Sequence, residues 1–330
     1  MFTTKNTNMR FLLSGVVIIL FSLLPLSAYA QVKDTLVKKL DSMQKAEVKP
    51  EDKPIIDVNA DEYTSKTNIT FKGYFALLGT DMYQEVKSPL HATKKTWLIA
   101  GGFAAAECIL YFTADKPIQK SVTEFMGDNP GLHNISQYVT DFGATYEIYV
   151  LAGFAAYGLV FKNDKAKTTV LLATQAYITA GAVSEAVKYI TGRVRPFYGD
   201  NPTNNIFLGP NIFNGNNPVG GFNSSFPSGH TTAAFSAATV YAYEYKDQIL
   251  IPIIAYSAAS LVGVSRITQN AHWTTDVLAG AALGYITGKQ VVNNYHRYAR
   301  LRSGKEFKMS YQFNMQYNNG VIMPGLVCKF

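Results

Sequence analysis

Three short runs hold the residue types best suited to chemistry. His272 and Asp276 are four apart, the spacing of one helix face, so the carboxylate can hold one imidazole nitrogen and fix the tautomer. The other nitrogen is then available as a base or a nucleophile. Ser265-Arg266 stands just before this pair and adds a cation. Ser225-Phe226-Pro227-Ser228-Gly229-His230 opens a helical pattern. The backbone N–H groups of a helix start, with Gly229 permitting close approach, make an anion site, and Ser228 is placed as an N-cap hydroxyl or an anion ligand. In the third run, Lys188 and Arg195 are seven apart, two helical turns, which puts both on one face, and Pro196 turns the chain there. Taken singly each run has an ordinary reading: a basic helix end, a capping turn with an incidental histidine, a structural His–Asp pair.

The elements that must carry these runs make the ordinary readings fail together. Helical patterns rich in Ala, Gly, Leu and Tyr span about 97–113, 146–161, 168–190, 231–245, 249–264 and 275–292. The fold class is therefore all-α, a bundle of about six core helices. In hairpin order the third helix arrives with Lys188, the fourth departs with His230, the fifth arrives with Arg266 and the sixth departs with Asp276. Three cations, a helix N-terminus and two histidines then converge at one end. That is equipment for a dianionic phosphoryl group passing through a trigonal-bipyramidal state.

Lysine, six residues, Arg-Pro; then Pro-Ser-Gly-His; then Ser-Arg, five residues, His, three residues, Asp: over roughly residues 90–295 this pattern resembles the type 2 phosphatidic acid phosphatase and vanadium haloperoxidase superfamily. The resemblance implies that Lys188, Arg195 and Arg266 bind phosphate, assisted by Ser228 and the Gly229 amide. It implies that His272 attacks phosphorus to give a phosphohistidine, that Asp276 orients it, and that His230 protonates the leaving oxygen. The activity implied is hydrolysis of phosphate monoesters or diphosphates, with a lipid phosphate of the phosphatidic acid, isoprenyl diphosphate or lipid A type as the leading substrate class. No metal and no cofactor are implied. A vanadate-dependent haloperoxidase and a non-specific periplasmic acid phosphatase are the competing activities; a non-catalytic scaffold would not need both histidines.

The rest of the chain bounds this reading. Of 330 residues, 48% are hydrophobic and 16% charged, an apolar balance for a soluble protein. The net charge is +7, and +5 without Lys5 and Arg10, which suits an anionic substrate or a membrane surface and is too small to argue for nucleic acid. Residues 1–30 read as a secretory signal peptide, with a basic start, an apolar stretch Phe11–Leu26 and Ala28-Tyr29-Ala30 as the cleavage site. The expected location is the cell envelope, periplasmic after cleavage. Residues 31–70 form a charged arm with a short helix near Leu36–Met43, 71–303 the helical domain, and 304–330 a β-hairpin tail read from its period-2 alternation. No helical pattern holds 18 unbroken strongly apolar residues. Full spanning from an external N-terminus would also leave Lys162–Lys167 and Lys289–Lys308 outside. A membrane-associated periplasmic bundle is the favoured reading over a six-span protein. The loop 197–226, with six aromatics, is expected to touch the organic part of the substrate. Cys108 and Cys328 are expected to be buried thiols, and His91, His133 and His296 lack ligand spacing.

Overall fold

The computed structural model describes residues 63, 67–141, 145–197, 205–210, 224–303, 310–318 and 321–329. The leader, the arm's short helix and most of the 197–226 loop lie outside the described residues. Among the described residues there are nine α-helices: α1 Phe71–Lys87, α2 Lys94–Thr113, α3 Asp115–Asp128, α4 Pro130–Thr140, α5 Thr145–Val160, α6 Asp164–Thr191, α7 Gly229–Glu244, α8 Leu250–Thr268 and α9 Thr274–Ser303. Helices occupy all six expected segments, but the expected count is corrected by α1, α3 and α4. Those three are too polar or too short to show as apolar runs. In α4 the buried residues are Ser136 and Thr140, while Leu132, Ile135 and Tyr138 face outward.

Local chemistry sets several of the boundaries. Thr70, Thr93 and Asn163 accept hydrogen bonds from first-turn amides of α1, α2 and α6, at 3.1, 3.2 and 3.0 Å. Gly192, with φ of 56°, ends α6 in a left-handed turn, and a Cβ there would stand 2.3 Å from the Gly209 carbonyl oxygen.

Helix α7 is the axis of the fold. It packs most extensively on α9, then on α8 and α6. Its sequence is mostly Gly, Ala, Ser and Thr, small enough for neighbours to close in from every side, and nearly all of it is buried. The α7–α9 seam depends on three glycines spaced four apart. A Cβ at Gly280, Gly284 or Gly288 would lie 2.7, 2.3 or 2.5 Å from the carbonyl oxygens of Ser228 (just before α7), Thr232 and Ser236 respectively. Backbone rests on backbone there, so the two helices are locked in register.

The outer helices are built differently. Helix α2 has no buried residue, and Trp97, Leu98, Ile109 and Phe112 all point outward. Outward apolar side chains recur on α5 (Ile148, Leu159, Val160) and α8 (Ile253, Ile254, Leu261). Helices α2, α6 and α8 are long and apolar enough to cross a membrane. This exposure favours membrane embedding, which the sequence left open beside a membrane-associated bundle: isolated exposed apolar residues are ordinary, but whole helix faces of them need an apolar surrounding. It also corrects the expectation for Cys108, which is exposed on α2 rather than buried. After the helices, β1 Ser310–Asn318 pairs antiparallel with β2 Val321–Lys329, Ser310 opposite Lys329.

Candidate active site

Four helix ends meet at one end of the α6–α9 group. Lys188 lies in the last turn of α6, Gly229 and His230 in the first turn of α7, Arg266 in the last turn of α8 and Asp276 in the first turn of α9. The Ser228 amide donates to the Asp276 carbonyl at 2.9 Å, tying the starts of α7 and α9 together. Lys188 reaches over Gly229, where a Cβ would come within 3.0 Å of its Nζ, and it pairs with Glu185 one turn earlier. Glycine at 229 therefore leaves room for the ammonium group beside the helix start. Arg266 Nη1 donates to Gln269 Oε1 at 2.6 Å and to Thr140 Oγ1 at 3.3 Å, so α4 closes over this side.

Three sequence expectations change in detail. Lys188 and Arg195 do not share a helix face, because α6 ends at Thr191 and Arg195 follows the Gly192 turn. Their proximity comes from that turn and not from helical periodicity. Ser228 does occupy the N-cap position of α7, but its hydroxyl bonds Thr231 Oγ1 at 2.9 Å and caps no amide. His272 precedes α9, and its Nδ1 lies 2.7 Å from the Ser225 carbonyl oxygen and 3.6 Å from Asp276 Oδ2. The longer distance is no hydrogen bond. A carbonyl only accepts, so Nδ1 carries the hydrogen, and the lone pair sits on Nε2.

Sequence reasoning missed Arg193 and Asp115. Arg193 is fully buried, and each of its five N–H groups has an acceptor. Nη1 donates to Asp276 Oδ1 and to Thr275 Oγ1 (2.8 Å), Nη2 to Asp115 Oδ2 (2.5 Å) and Asn205 Oδ1 (2.7 Å), and Nε to Asn205 Oδ1 (3.0 Å). Aromatic rings of Phe207, Tyr111, Trp273 and Phe226 surround the guanidinium at 5.0–5.9 Å. The described part of the 197–226 loop thus packs on Arg193. Asp276 also accepts from Ser225 Oγ and from the Trp273 amide at 2.8 Å.

These contacts explain the electrostatics. Burial works to raise the Asp276 carboxyl, but Arg193, His272 and Ser225 outweigh it and hold the group below its ordinary range. Burial, with Arg195 and Arg266, outweighs Asp276 at His272 and lowers its imidazole to about 4. His230 is pushed down to about 3 by burial first, then by Arg266, His272, Lys188 and Arg195. Both rings are neutral near pH 7 in a site whose fixed charges are positive on the open side. Among the described residues no group of three His, Cys, Asp or Glu could hold a metal ion.

Comparison with known proteins supports the family resemblance. Residues 169–300 match the family model described as PAP2 superfamily, a span that contains every site residue anticipated from sequence. The chain carries a PAP2 superfamily domain. It is 44% identical over 73 residues to lipid A 1-phosphatase of Porphyromonas gingivalis, covering 22% of this chain and 16% of that protein. It is 27% identical over 182 residues to phosphatidylglycerophosphatase B of Bacillus subtilis, covering 53% of this chain and 79% of that one. Against undecaprenyl-diphosphatase of Sulfolobus acidocaldarius it is 28% identical over 154 residues, 46% of this chain and 66% of the other. The first of these matches therefore spans only a small part of its partner.

Proposed function

We propose that the protein is a membrane-embedded lipid phosphate phosphatase that works through a phosphohistidine on His272, without metal. The observation that carries this reading is the His272 tautomer: with Nδ1–H given to the Ser225 carbonyl, Nε2 presents a lone pair beside Arg195 and Arg266. Nε2 attacks phosphorus as the P–O ester bond breaks, and His230 gives a proton to the departing oxygen. Water then attacks the phosphohistidine, His230 takes its proton, and phosphate leaves. Lys188, Arg195 and Arg266 offset the dianion throughout, the work a divalent ion does elsewhere. His230 is neutral in the empty site because burial, and then those cations, oppose its proton; a bound dianion offsets the cations, so the ring can take up a proton from solvent and hold it for the leaving group.

A lipid substrate is supported by the three named relatives, whose names all denote phosphate groups on lipids, and by the outward apolar helices next to the site. Helices α2, α6 and α8 all run toward the site from an end carrying Lys94, Lys95, Lys162, Lys165, Lys167 and Lys246. By the positive-inside rule that basic end faces the cytoplasm and the site faces the outside. Cleavage after Ala30 would instead start the mature chain outside, while Tyr63, bonded to Glu244, is held at the basic end. Impermeant labelling of Lys116→Cys and Lys246→Cys in intact cells decides the orientation: labelling of the first alone is expected, and labelling of the second alone reverses it.

The activity is tested by phosphate release from phosphatidic acid, an isoprenyl diphosphate and lipid A in detergent micelles, with chelator present. Rapid quench should trap an acid-labile phosphoryl group on His272. Hydrolysis with no such adduct sinks the mechanism, activity restored only by magnesium or zinc sinks the metal-free reading, and halide oxidation by the vanadate-loaded protein would promote the haloperoxidase.

A further inference from the structure

Behind the site lies a set of buried charged groups that line no part of the phosphate-binding cluster. Asp115 belongs to α3, outside the span that matches the family model. Yet it grips the start of α9, accepting from the Thr275 amide at 3.0 Å and from Thr275 Oγ1 at 2.6 Å. Its Oδ2 also takes Arg193 Nη2, and Arg193 Nη1 takes Asp276 Oδ1. All three side chains are fully buried. A buried row of minus, plus, minus thus ends on the carboxylate beside His272.

We propose that Asp115 and Arg193 are positioning residues for His272: their buried row with Asp276 fixes where that carboxylate stands and how much negative charge the imidazole feels. The inference rests on the phosphatase reading only for its kinetic consequence. Arg193 draws one Asp276 oxygen away, leaving the other to Ser225 Oγ and the Trp273 amide, so neither oxygen closes on Nδ1. His272 then donates to the Ser225 carbonyl and keeps the tautomer with Nε2 free. A bare Asp276 would instead form a direct ion pair with a protonated ring, which cannot attack phosphorus. Asp115 neutralises the arginine, so the row as a whole adds one negative charge and not zero.

The other titratable or charged groups around the ring are Arg195 and Arg266 on the substrate side, the neutral His230, and Glu107 of α2 behind the row. Glu107 has no hydrogen-bond partner for either carboxylate oxygen and is left intact in the test.

The test uses the full chain in detergent micelles with isotope-labelled histidine, reading the His272 titration by NMR and phosphate release in parallel. Arg193→Gln removes the cation and should move the His272 titration upward; Asp115→Asn removes an anion and should move it downward. Arg193→Lys should restore most of the native titration. For Arg193→Gln, kcat should fall about 10²-fold, the scale of a displaced reacting group, while KM changes little because Lys188, Arg195 and Arg266 remain. A merely structural row predicts the same loss of folded protein in both variants and no opposed shifts, and that result overturns the proposal. Should Arg193→Gln fail to fold, the near-isosteric Asp115→Asn decides alone, and an unmoved titration is a refutation. Opposed shifts in a protein that hydrolyses no phosphoester would sink the phosphatase reading and leave the positioning row standing.

Discussion

Two buried histidines sit beside carboxylates at opposite ends of the same helix pair, and they are held in opposite ways. At the far end His296 of α9 bonds Glu244 of α7 directly, Nε2 to Oε1 at 2.8 Å, and Tyr63 donates to the other carboxylate oxygen. At the site end the carboxylate is taken by an arginine, a serine and an amide, and His272 stands 3.6 Å away on a backbone carbonyl. Both rings are 2% exposed or less, so burial does not separate them. What differs is the first claim on the carboxylate. When the imidazole has it, the pair is a clasp; when an arginine has it, the imidazole stays neutral with a lone pair to use.

The sharpest way to break this comparison is to delete each ring. His272→Ala should lose turnover on the order of 10⁶-fold, as when a nucleophile is removed, while the fold persists. His296→Ala should leave turnover per folded molecule near native but cost roughly 3–5 kcal/mol, since Glu244 is stranded in the interior. Phosphate release normalised to folded protein, with thermal unfolding alongside, measures both. Loss of turnover in folded His296→Ala would mean that the far pair is not merely a clasp.

His230 gives the next largest effect. If it supplies the leaving-group proton, His230→Ala should cost about 10²–10⁴ on alkyl phosphates and much less on nitrophenyl phosphate, whose anion leaves unaided. Leaving-group dependence in His272→Ala and not in His230→Ala would reverse the two roles.

The seam that connects both ends can be tested against the outer helices. Gly284→Ala pushes a methyl into the Thr232 carbonyl and should destabilise by roughly 1–3 kcal/mol. Gly153→Ala on α5 meets nothing within 4 Å and should stabilise slightly, by up to about 1 kcal/mol, because alanine favours helix. Equal effects would remove the distinction between seam and surface.

The two site rings also leave a signature in pH. An unfolded histidine binds its proton near 6.5, whereas folded His272 resists protonation down to about 4 and His230 to about 3. Between those limits the unfolded chain holds more protons, so stability falls as the pH drops through that window. His272→Asn or His230→Asn should flatten the fall in the unfolding midpoint between pH 6.5 and 4. An unchanged slope would show that neither ring is held neutral.

The spacing of Lys188, Arg195, His230, Arg266, His272 and Asp276 was legible because helix order alone brings four helix ends together. The orientation of His272 was not, since the carbonyl of Ser225 is a backbone group 47 positions away that no side-chain pattern reveals. Arg193 stood in plain view two residues before Arg195, but side-chain type alone does not say which of two arginines turns inward. The sign that marks it is the Gly192 turn, which reverses the chain just before it. Asp115 was invisible for another reason: it opens a polar helix, and its partners lie up to 160 positions on. Whether the apolar faces of α2 and α8 point inward or outward was left open, because composition gives hydrophobicity and not direction. Helix α4, polar inward and apolar outward, inverts the pattern used to find helices at all.

The glycine seam has a mechanical meaning. Helices α7 and α9 cannot slide on each other without driving carbonyl oxygens through the space where glycines lack side chains, so they behave as a single stiff beam. The Ser228–Asp276 bond fastens that beam at one end, and the Glu244–His296 bond fastens it roughly 24 Å away, at 1.5 Å per residue along α7. On the phosphatase reading, a substrate with a longer or bulkier lipid would therefore not be accommodated by parting these helices. Any adjustment would fall to parts outside the beam such as α4, which leaves the distance between the His272 ring and the start of α7 the same whatever enters the site.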